Sequence, residues 1–373
     1  MPQPTYPAAH AVAAAVNAHF ARHIAAASTQ EGVAIAEVPG AEAIEALIDA
    51  AFWASLRREE GKTPRISLAL LPPAKARHPL VFHTHLPLGP PMLAKVAPAV
   101  ERPGIHLGVW RSGDGFHVWG TTREVPAFCL VVEVVASGLV VVKHRSEPFG
   151  KFANVAVLEG DQIKIVDERG GKIVPDCPAL VTTLIGAVDR PIAAGVTAIL
   201  VQLAASMRQH GRGGALLVVP SNSDTWQESV VTPLLYSLAP PFSELAELMR
   251  GASPDPDDLK RSVDAIAGLT AVDGATLITD RYEVLAFGAK ITRRKGSALV
   301  EHVNVTEPVE GSVPIRTTPA QLGGTRHLSA AQFVHDQREA TALVASQDGR
   351  FTIFKWSPQE RFVHAHRVDA LLL

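Results

Sequence analysis

The stretch AVDGATLITD, residues 271–280, places a carboxylate beside two very small residues at the start of a strand-like run. Gly274 and Ala275 have almost no side chain, so a base or a ribose can approach the backbone closely there. The preceding residue, Asp273, carries a carboxylate of the kind that binds divalent cations. Taken alone, the stretch predicts only a strand whose start a ligand could approach.

A second stretch, QLGGTRHLSAAQ at residues 321–332, opens a helical pattern with two glycines and two basic residues. The first turn of a helix offers free N–H groups and a favourable dipole to anions, and Gly324 lets a ligand approach them. Thr325 is expected to cap the helix, while Arg326 and His327 add donors for phosphate groups. The stretch taken alone favours the alternative, an ordinary capped helix with a basic first turn.

The elements around these stretches alternate between helical and strand-like patterns, which predicts an α/β domain with a mixed central sheet flanked by helices. A loop rich in proline, serine and aspartate interrupts the alternation. In chain order the predicted elements are a helix at 192–210, a strand in 211–220, helices at about 242–250 and 257–268, strands in 274–280 and 282–291, a helix at 325–338, and strands in 341–347 and 351–356.

The first half of the chain has a different pattern of predicted helices and strands. Two helical patterns, at residues 8–27 and 41–59, precede short β-like runs that extend from residue 65 to 167 and are separated by glycine-containing hairpin signals. We therefore predict an N-terminal α+β domain with a largely antiparallel sheet. The glycine-, proline- and charge-rich segment 168–178 is the predicted boundary. The predicted domains are residues 1–170 and 180–373.

Three stretches of the second half together resemble the diadenylate cyclase domain of DisA-type proteins, in order and in spacing. The shared features are a glycine-alanine strand, an Asp-Gly-Ala motif on a strand, and an Arg-His-Arg motif that opens a helix before a strand ending in serine and acidic residues. The resemblance covers about residues 180–370. It implies a pocket for an adenine nucleotide or dinucleotide that Ser346 and Asp348 help to line, with Mg²⁺ or Mn²⁺ as cofactor. It also implies Asp273, Arg326 and His327 as the catalytic residues, with Asp273 as the metal ligand, because the joining of two ATP molecules requires a metal ion and a carboxylate near it. The three stretches are GRGGALLVVP at 211–220, AVDGATLITDRYEVLAFGAKI at 271–291 and GTRHLSAAQFVHDQREATALVASQDGRFTIF at 324–354.

The sequence departs from that family at two positions. Leu328 stands where the motif has its second arginine, which removes a charge and up to five N–H donors, and Gln347 replaces one of two acidic residues. Losing one positioned donor can cost about two to three orders of magnitude in rate. Asp348 keeps part of the acidic pattern, although an aspartate before glycine is also typical of a plain turn.

These departures, together with the added N-terminal domain, resemble the sensor-type offshoots of the superfamily known as DACNV. The resemblance implies a nucleotide-binding sensor that has lost its catalytic activity. An active diadenylate cyclase that joins two ATP molecules into cyclic di-AMP is the alternative, and a purely structural domain is the third hypothesis. Whether the protein is an enzyme stays open at this point, because a shared fold does not establish a shared activity.

Two N-terminal motifs resemble recurrent motifs of the same sensor family. They are WASLRREEGKTPRI at 53–66 and WGTTREVP at 119–126, and we expect them to face a common cleft. The alternative, which is slightly preferred, is that residues 57–60 form only the solvated end of a helix.

The composition limits the classes of partner. The 373 residues are 47% hydrophobic with a formal net charge of −2, and the basic residues are scattered, which argues against duplex nucleic acid. No signal peptide and no membrane segment are recognisable. The two distant cysteines, Cys129 and Cys177, fit a reducing cytoplasm. We therefore predict a cytoplasmic protein that signals as a homo-oligomer or through an effector protein.

Two histidine pairs have spacings that a metal ion could use. His19 and His23 lie four residues apart on the first predicted helix, and surface histidines are the preferred interpretation because no third ligand is recognisable. His83 and His85 share one face of a predicted strand, and half-exposed side chains are again preferred to a metal pair.

Overall fold

A computed structural model of the chain describes residues 5–27, 34–59, 61–113, 115–146, 152–167, 178, 179, 181, 184, 196–251 and 254–373. The packing of the backbone divides the chain into one unit of Met1–Val166 with Leu373 and a second unit of Asp167–Leu372. Each unit carries one sheet with helices, and the predicted two-domain α/β fold is confirmed. The predicted boundary segment lies outside the described residues, except for Pro178.

The first unit carries an eight-stranded sheet in the order β2-β4-β3-β1-β5-β6-β7-β8, in which only β1 and β3 pair in parallel. The expectation of a largely antiparallel sheet is therefore correct. Its described elements are α1 (Pro7–Ala27), α2 (Ala41–Ser55), β1 (Ile66–Leu70), β2 (Leu80–Pro87), α3 (Pro90–Val96), β3 (His106–Ser112), β4 (Gly115–Thr122), β5 (Val131–Ala136), β6 (Leu139–His144), β7 (Ala153–Glu159) and β8 (Gln162–Ile165).

Helix α2 shows how this unit builds its core. Ile44, Leu47 and Ile48 recur at helical spacing and are fully buried, so one face of the helix packs into the core beside the sheet. The helix ends at Ser55, and the predicted end near residue 59 is wrong. The Ser55 hydroxyl donates to the Phe52 carbonyl and accepts the N–H of Gly138, which closes the last turn.

His19 is a buried residue, which corrects the expectation of a surface histidine. Its side chain is 6% exposed, and its Nε2 atom lies 3.0 Å from the Nε2 atom of His144 in β6. His83 and His85, by contrast, are exposed on the edge strand β2. Within the described ranges, no group of three histidine, cysteine, aspartate or glutamate side chains is suited to hold a metal ion.

The second unit carries a nine-stranded mixed sheet in the order β10-β12-β11-β9-β15-β16-β17-β13-β14. Its described elements are α4 (Val196–Gln209), β9 (Gly214–Val219), β10 (Tyr236–Phe242), α5 (Glu244–Arg250), α6 (Pro256–Leu269), β11 (Ala275–Thr279), β12 (Val284–Ala289), β13 (Val303–Thr306), β14 (Ile315–Thr317), α7 (Pro319–Leu322), α8 (Thr325–Asp336), β15 (Thr341–Ala345), β16 (Phe351–Ser357) and β17 (Phe362–Arg367).

The pairing of three central strands positions the candidate site. Strand β9 runs parallel to β11 and antiparallel to β15, so the starts of β9 and β11 lie at the same edge of the sheet as the end of β15. Helix α8 packs on β15, β16 and β17 through its buried face, which includes Phe333 and Val334. Because β15 returns antiparallel to α8 after a short loop, the helix begins at that same edge.

In the part of the chain that the structure describes, no helix combines the length and the apolar character needed to cross a membrane.

Candidate functional site

Two glycines, Gly213 and Gly274, lie at the edge of the sheet where β9 and β11 begin and β15 ends. We call this region the glycine edge. Gly213 has a φ of +70° and Gly274 a φ of +115°, and both values disfavour any other residue. A Cβ atom on Gly274 would lie 2.4 Å from the carbonyl carbon of Gly288, so the β11 and β12 backbones approach each other too closely for a side chain. Neighbouring groups therefore fill the space that a side chain would need at both glycines, and Gly213 is itself buried.

Arg326 reaches into the glycine edge from the first turn of α8. Its Nη1 atom would lie 3.2 Å from a Cβ atom on Gly213, and the carbonyl oxygen of Ala345 is at the same distance from that position. Its Nε atom is buried and has no hydrogen-bond partner among the described residues. A buried N–H without a partner costs free energy, so this guanidinium is suited to donate hydrogen bonds to an anionic ligand.

Asp273 lies at the same edge and is 87% exposed at its side chain. Its Oδ2 atom accepts a hydrogen bond of 2.5 Å from Nζ of Lys290. This hydrogen bond and the lysine charge, with a smaller contribution from Arg326, hold the pKa of the carboxyl below its ordinary value. The predicted carboxylate and the predicted arginine are therefore near enough to interact.

The loop after β15 also lies at the glycine edge. Gln347 donates from Nε2 to the Arg212 carbonyl at 3.4 Å, and its Cγ atom would be 3.3 Å from a Cβ atom on Gly213. Asp348 belongs to a turn in which its Oδ1 atom accepts the Arg350 N–H at 3.3 Å. Burial raises the pKa of Asp348, but hydrogen bonds from Ser346 and Arg350 outweigh it, so the pKa is lowered overall.

His327 points away from the opening, into the packing beneath α8. It is 2% exposed, its Nε2 atom lies 3.4 Å from Oγ1 of Thr352, and its ring meets the Phe354 ring edge-on. Burial lowers its pKa, which keeps the ring neutral near pH 7. Its position is thus that of a side chain that supports the first turn of α8.

Three further positions of the predicted site differ in their surroundings. Thr325 does not cap α8, which corrects the expectation: Gly324 is the N-cap residue, and its carbonyl accepts the His327 N–H at 3.0 Å. Ala275 is 1% exposed and paired within the sheet. Leu328 is 38% exposed, so it does not fill the interior of the edge.

Sequence reasoning did not single out the neighbouring bases Lys290 and His210. Lys290 follows β12, and the pairing of Ala275 with Ala289 brings it beside Asp273, so the hairpin register was the signal that could have found it. Burial lowers the pKa of His210, and the charges of Arg212 and Arg326 lower it further. The edge thus holds Lys290 and Arg326 near the exposed carboxylate of Asp273, and the loop after β15 adds a second exposed carboxylate, Asp348.

The side chains at this edge are of types that commonly contact phosphate groups and divalent cations. Arg326 offers a planar donor set for phosphate oxygens, and Lys290 adds a second cation. Asp273 stays ionised and is open to a divalent cation. Its lowered pKa makes it a weaker proton acceptor than an ordinary aspartate.

Residues 33–123 match a family model described as "Probable sensor domain DACNV". The matched segment, which we call the DACNV segment, extends from before α2 to the residue after β4 and lies in the first unit. No curated protein matches the chain. The chain therefore carries a DACNV-like sensor segment in its first unit, which agrees with a role in sensing or signalling.

The two N-terminal motifs approach one edge of the first sheet. Strand β1 begins at Ile66, β4 ends at Thr122, and β3 between them begins at His106, which is paired with Thr122. The Nε atom of Arg57 is buried, and α2 has already ended, so a solvated helix end at residues 57–60 does not describe Arg57. A common cleft for the two motifs stays a prediction.

Proposed function

We propose that the second unit binds an adenine nucleotide or dinucleotide at the glycine edge and that the protein acts as a sensor of this ligand. The observation that carries the proposal is the placement of Arg326 against Gly213, with a buried Nε atom that has no partner among the described residues, near the exposed carboxylate of Asp273. The resemblance to diadenylate cyclase domains is the reason to propose a nucleotide as the ligand, and the DACNV segment supports the sensor role.

The phosphate groups would bind at the start of α8. Arg326 donates from its guanidinium, and the first N–H groups of a twelve-residue helix add donors and a favourable dipole. Gly324 is exposed and leaves room for phosphate oxygens near these N–H groups. His327 holds the turn in place from below through Thr352.

A divalent cation fits the edge as a partner of the ligand. Asp273 provides one carboxylate, and Mg²⁺ often binds proteins through one or two carboxylates together with phosphate oxygens. Mn²⁺ accepts the same oxygen ligands. The cation would neutralise charge on the phosphates. When no cation is bound, Asp273 pairs with Lys290.

Binding without turnover is favoured by the residues themselves. Leu328 offers no donor where the family has an arginine, Gln347 offers no carboxylate, and Asp273 has a lowered pKa. His327 is buried beneath the helix. None of these four side chains is placed to accept a proton from an attacking hydroxyl, which an active cyclase needs.

The test is calorimetry of the full chain with ATP, with and without Mn²⁺, while mass spectrometry reads the products of the same samples. We expect binding without a cyclic dinucleotide. Asp273→Asn should weaken binding in Mn²⁺ by about tenfold or more, and it should leave binding in chelator unchanged or stronger, because a negative charge is removed.

Asp280→Asn is the matched control, because Asp280 follows the other end of β11 and accepts the Ser221 N–H there. It should not alter ATP binding. If ATP fails to bind at millimolar concentration, the nucleotide proposal is wrong. If the wild type forms a cyclic dinucleotide and Asp273→Asn does not, the protein is an active cyclase in spite of Leu328.

A further inference from the structure

A cavity of about 590 Å³ lies at the end of α8 that is remote from the glycine edge. It opens between the end of β9, the turn at residues 294–297 and the residues that follow α8, all within the second unit. This volume lies inside the range of about 300–1,000 Å³ that is usual for sites of small molecules. Its residues are separate from those of the proposed nucleotide site.

Asp336, the last residue of α8, fixes one wall of the cavity. Its carboxylate is fully buried, and it accepts hydrogen bonds from the Arg294 N–H at 2.9 Å, the Ser297 hydroxyl and Nε2 of Gln332 at 2.9 Å. Nδ1 of His335 lies 3.0 Å from the same carboxylate. The turn at 294–297 is therefore tied to the helix, and this carboxylate is already satisfied.

The next residue, Gln337, fixes the opposite wall. Its Nε2 atom donates to the Thr225 carbonyl at 2.9 Å and to Oγ of Ser229 at 2.8 Å, and its Oε1 atom accepts from Oγ1 of Thr225 at 3.2 Å. Gln337 is itself 8% exposed. The buried side chains of Asp336 and Gln337 thus fix two opposite walls of the cavity by hydrogen bonds. The shape of the cavity is therefore set before any ligand binds.

The charges that remain open to the cavity are mostly positive. Arg294, Lys295 and Arg338 line it and are exposed, whereas Glu339 is the exposed carboxylate of the lining. Arg294 pairs with Glu228 through Nε at 2.6 Å, and its guanidinium carries four further N–H donors. With the Asp336 charge buried among its donors and the Arg294 charge offset by Glu228, Lys295 and Arg338 are two cations beside one open carboxylate, Glu339.

One of these cations is already held in position. The guanidinium carbon of Arg338 lies 4.3 Å from the centre of the Trp356 ring, and stacking of this kind reduces the freedom that an arginine loses when it binds an anion. The inner lining includes Val219, Trp226 and Ala340, all buried. The cavity therefore combines a basic mouth with an apolar floor.

We propose that this cavity is a second ligand site, which binds a small organic anion with its carboxylate or phosphate groups at Arg294, Lys295 and Arg338 and its carbon skeleton against Trp226. Because α8 runs from Arg326 at one end to this site at the other, a ligand here contacts the same helix as the nucleotide. The inference goes beyond the proposed nucleotide site and does not depend on it.

The experiment is calorimetric titration of the full chain with citrate and, separately, with inorganic pyrophosphate. We expect at least one of the two probes to bind at millimolar concentration, and the stronger one shows whether the site prefers carboxylate or phosphate. The double variant Lys295→Gln/Arg338→Gln should weaken that binding by about tenfold or more. Ser223→Trp, which keeps the charges and fills the mouth, should also weaken it.

The matched control is Lys260→Gln/Arg250→Gln, which removes one exposed lysine and one exposed arginine from α6 and α5. It should leave probe binding unchanged. The proposal is overturned if neither probe binds, or if both cavity variants bind the probe as the wild type does while their thermal midpoints are normal. If ATP competes with the probe for the cavity, the assignment of nucleotide to the glycine edge fails and the anion site stands.

Discussion

The two ends of α8 use aspartate in opposite ways. Near the start of the helix, Asp273 is 87% exposed and has one charged partner, Lys290. At the end of the helix, the Asp336 side chain is fully buried among hydrogen-bond donors from the 294–297 turn and from α8 itself. The first carboxylate is open to a ligand or a cation, and the second builds the wall of a cavity. Residue type alone does not separate these roles, but exposure and partners do.

The largest expected effect is on stability, at the buried carboxylate. Asp336→Ala removes the acceptor of the Arg294 N–H and of the Ser297 hydroxyl and one of the two acceptors of Gln332, and it should lower the free energy of unfolding by about 3 kcal/mol. Urea denaturation of the full chain measures this through the transition of the second unit. Asp264→Ala, at an exposed carboxylate paired with Lys260, should change it by less than about 0.5 kcal/mol. Equal effects at both sites would break the comparison.

The glycine edge should also resist a side chain. Gly274→Ala places a Cβ atom 2.4 Å from the carbonyl carbon of Gly288 and requires a strained φ of +115°, so we expect a loss of about 2 kcal/mol in stability and weaker ATP binding. Gly268→Ala is the control, because nothing lies within 4 Å of its Cβ position inside α6. That change should stabilise by about 0.5–1 kcal/mol. A well-tolerated Gly274→Ala would contradict the close approach of the two strands.

A variant that binds ATP more tightly at the start of α8 would strengthen the comparison between the two ends of the helix. Leu328→Arg adds the missing cation at a position that is 38% exposed, so the fold should accept it. One further charge-assisted hydrogen bond should strengthen ATP binding by about tenfold, and calorimetry measures this. Leu328→Gln, of similar length but without charge, should give much less. Unchanged affinity in the arginine variant would place the phosphates elsewhere.

The smallest expected effect is that of pH. The pKa values of His210 and His327 are lowered by burial, so both rings stay neutral, and Asp273, with its lowered pKa, stays ionised. The affinity for cyclic di-AMP, whose phosphodiesters do not titrate in this range, should therefore be flat between about pH 6 and 8. A rise in affinity as the pH falls towards 6 would mean that a histidine gains a proton on binding.

Much of the fold follows from local patterns. Hairpin signals and strand-like runs identified the strands of the first unit because turn chemistry and alternation are local properties. Strand β10, Tyr236–Phe242, is not predicted by the sequence pattern, because it is an exposed edge strand that contains Pro240 and Pro241. Strand β17 was also missed, since His364 and His366 look polar although each is buried beside a hydrogen-bond partner.

The candidate site was predictable in part for the same reason. Asp273 and Arg326 belong to recognisable local motifs, and the structure brings them to one edge. The burial of His327 was not predictable, because it depends on which side of α8 meets β16. The cavity at the other end could not be foreseen either, since its walls come from segments distant in sequence that Asp336 and Gln337 tie together.

The most direct test of the account is ATP binding to two arginine variants, one at each end of α8. Arg326→Gln removes the guanidinium of the glycine edge, and Arg338→Gln removes one from the mouth of the cavity. Calorimetry in Mn²⁺ should show ATP affinity reduced by about tenfold or more in the first variant and unchanged within about twofold in the second. If Arg338→Gln causes the loss and Arg326→Gln does not, the nucleotide binds in the cavity, and the central claim is wrong.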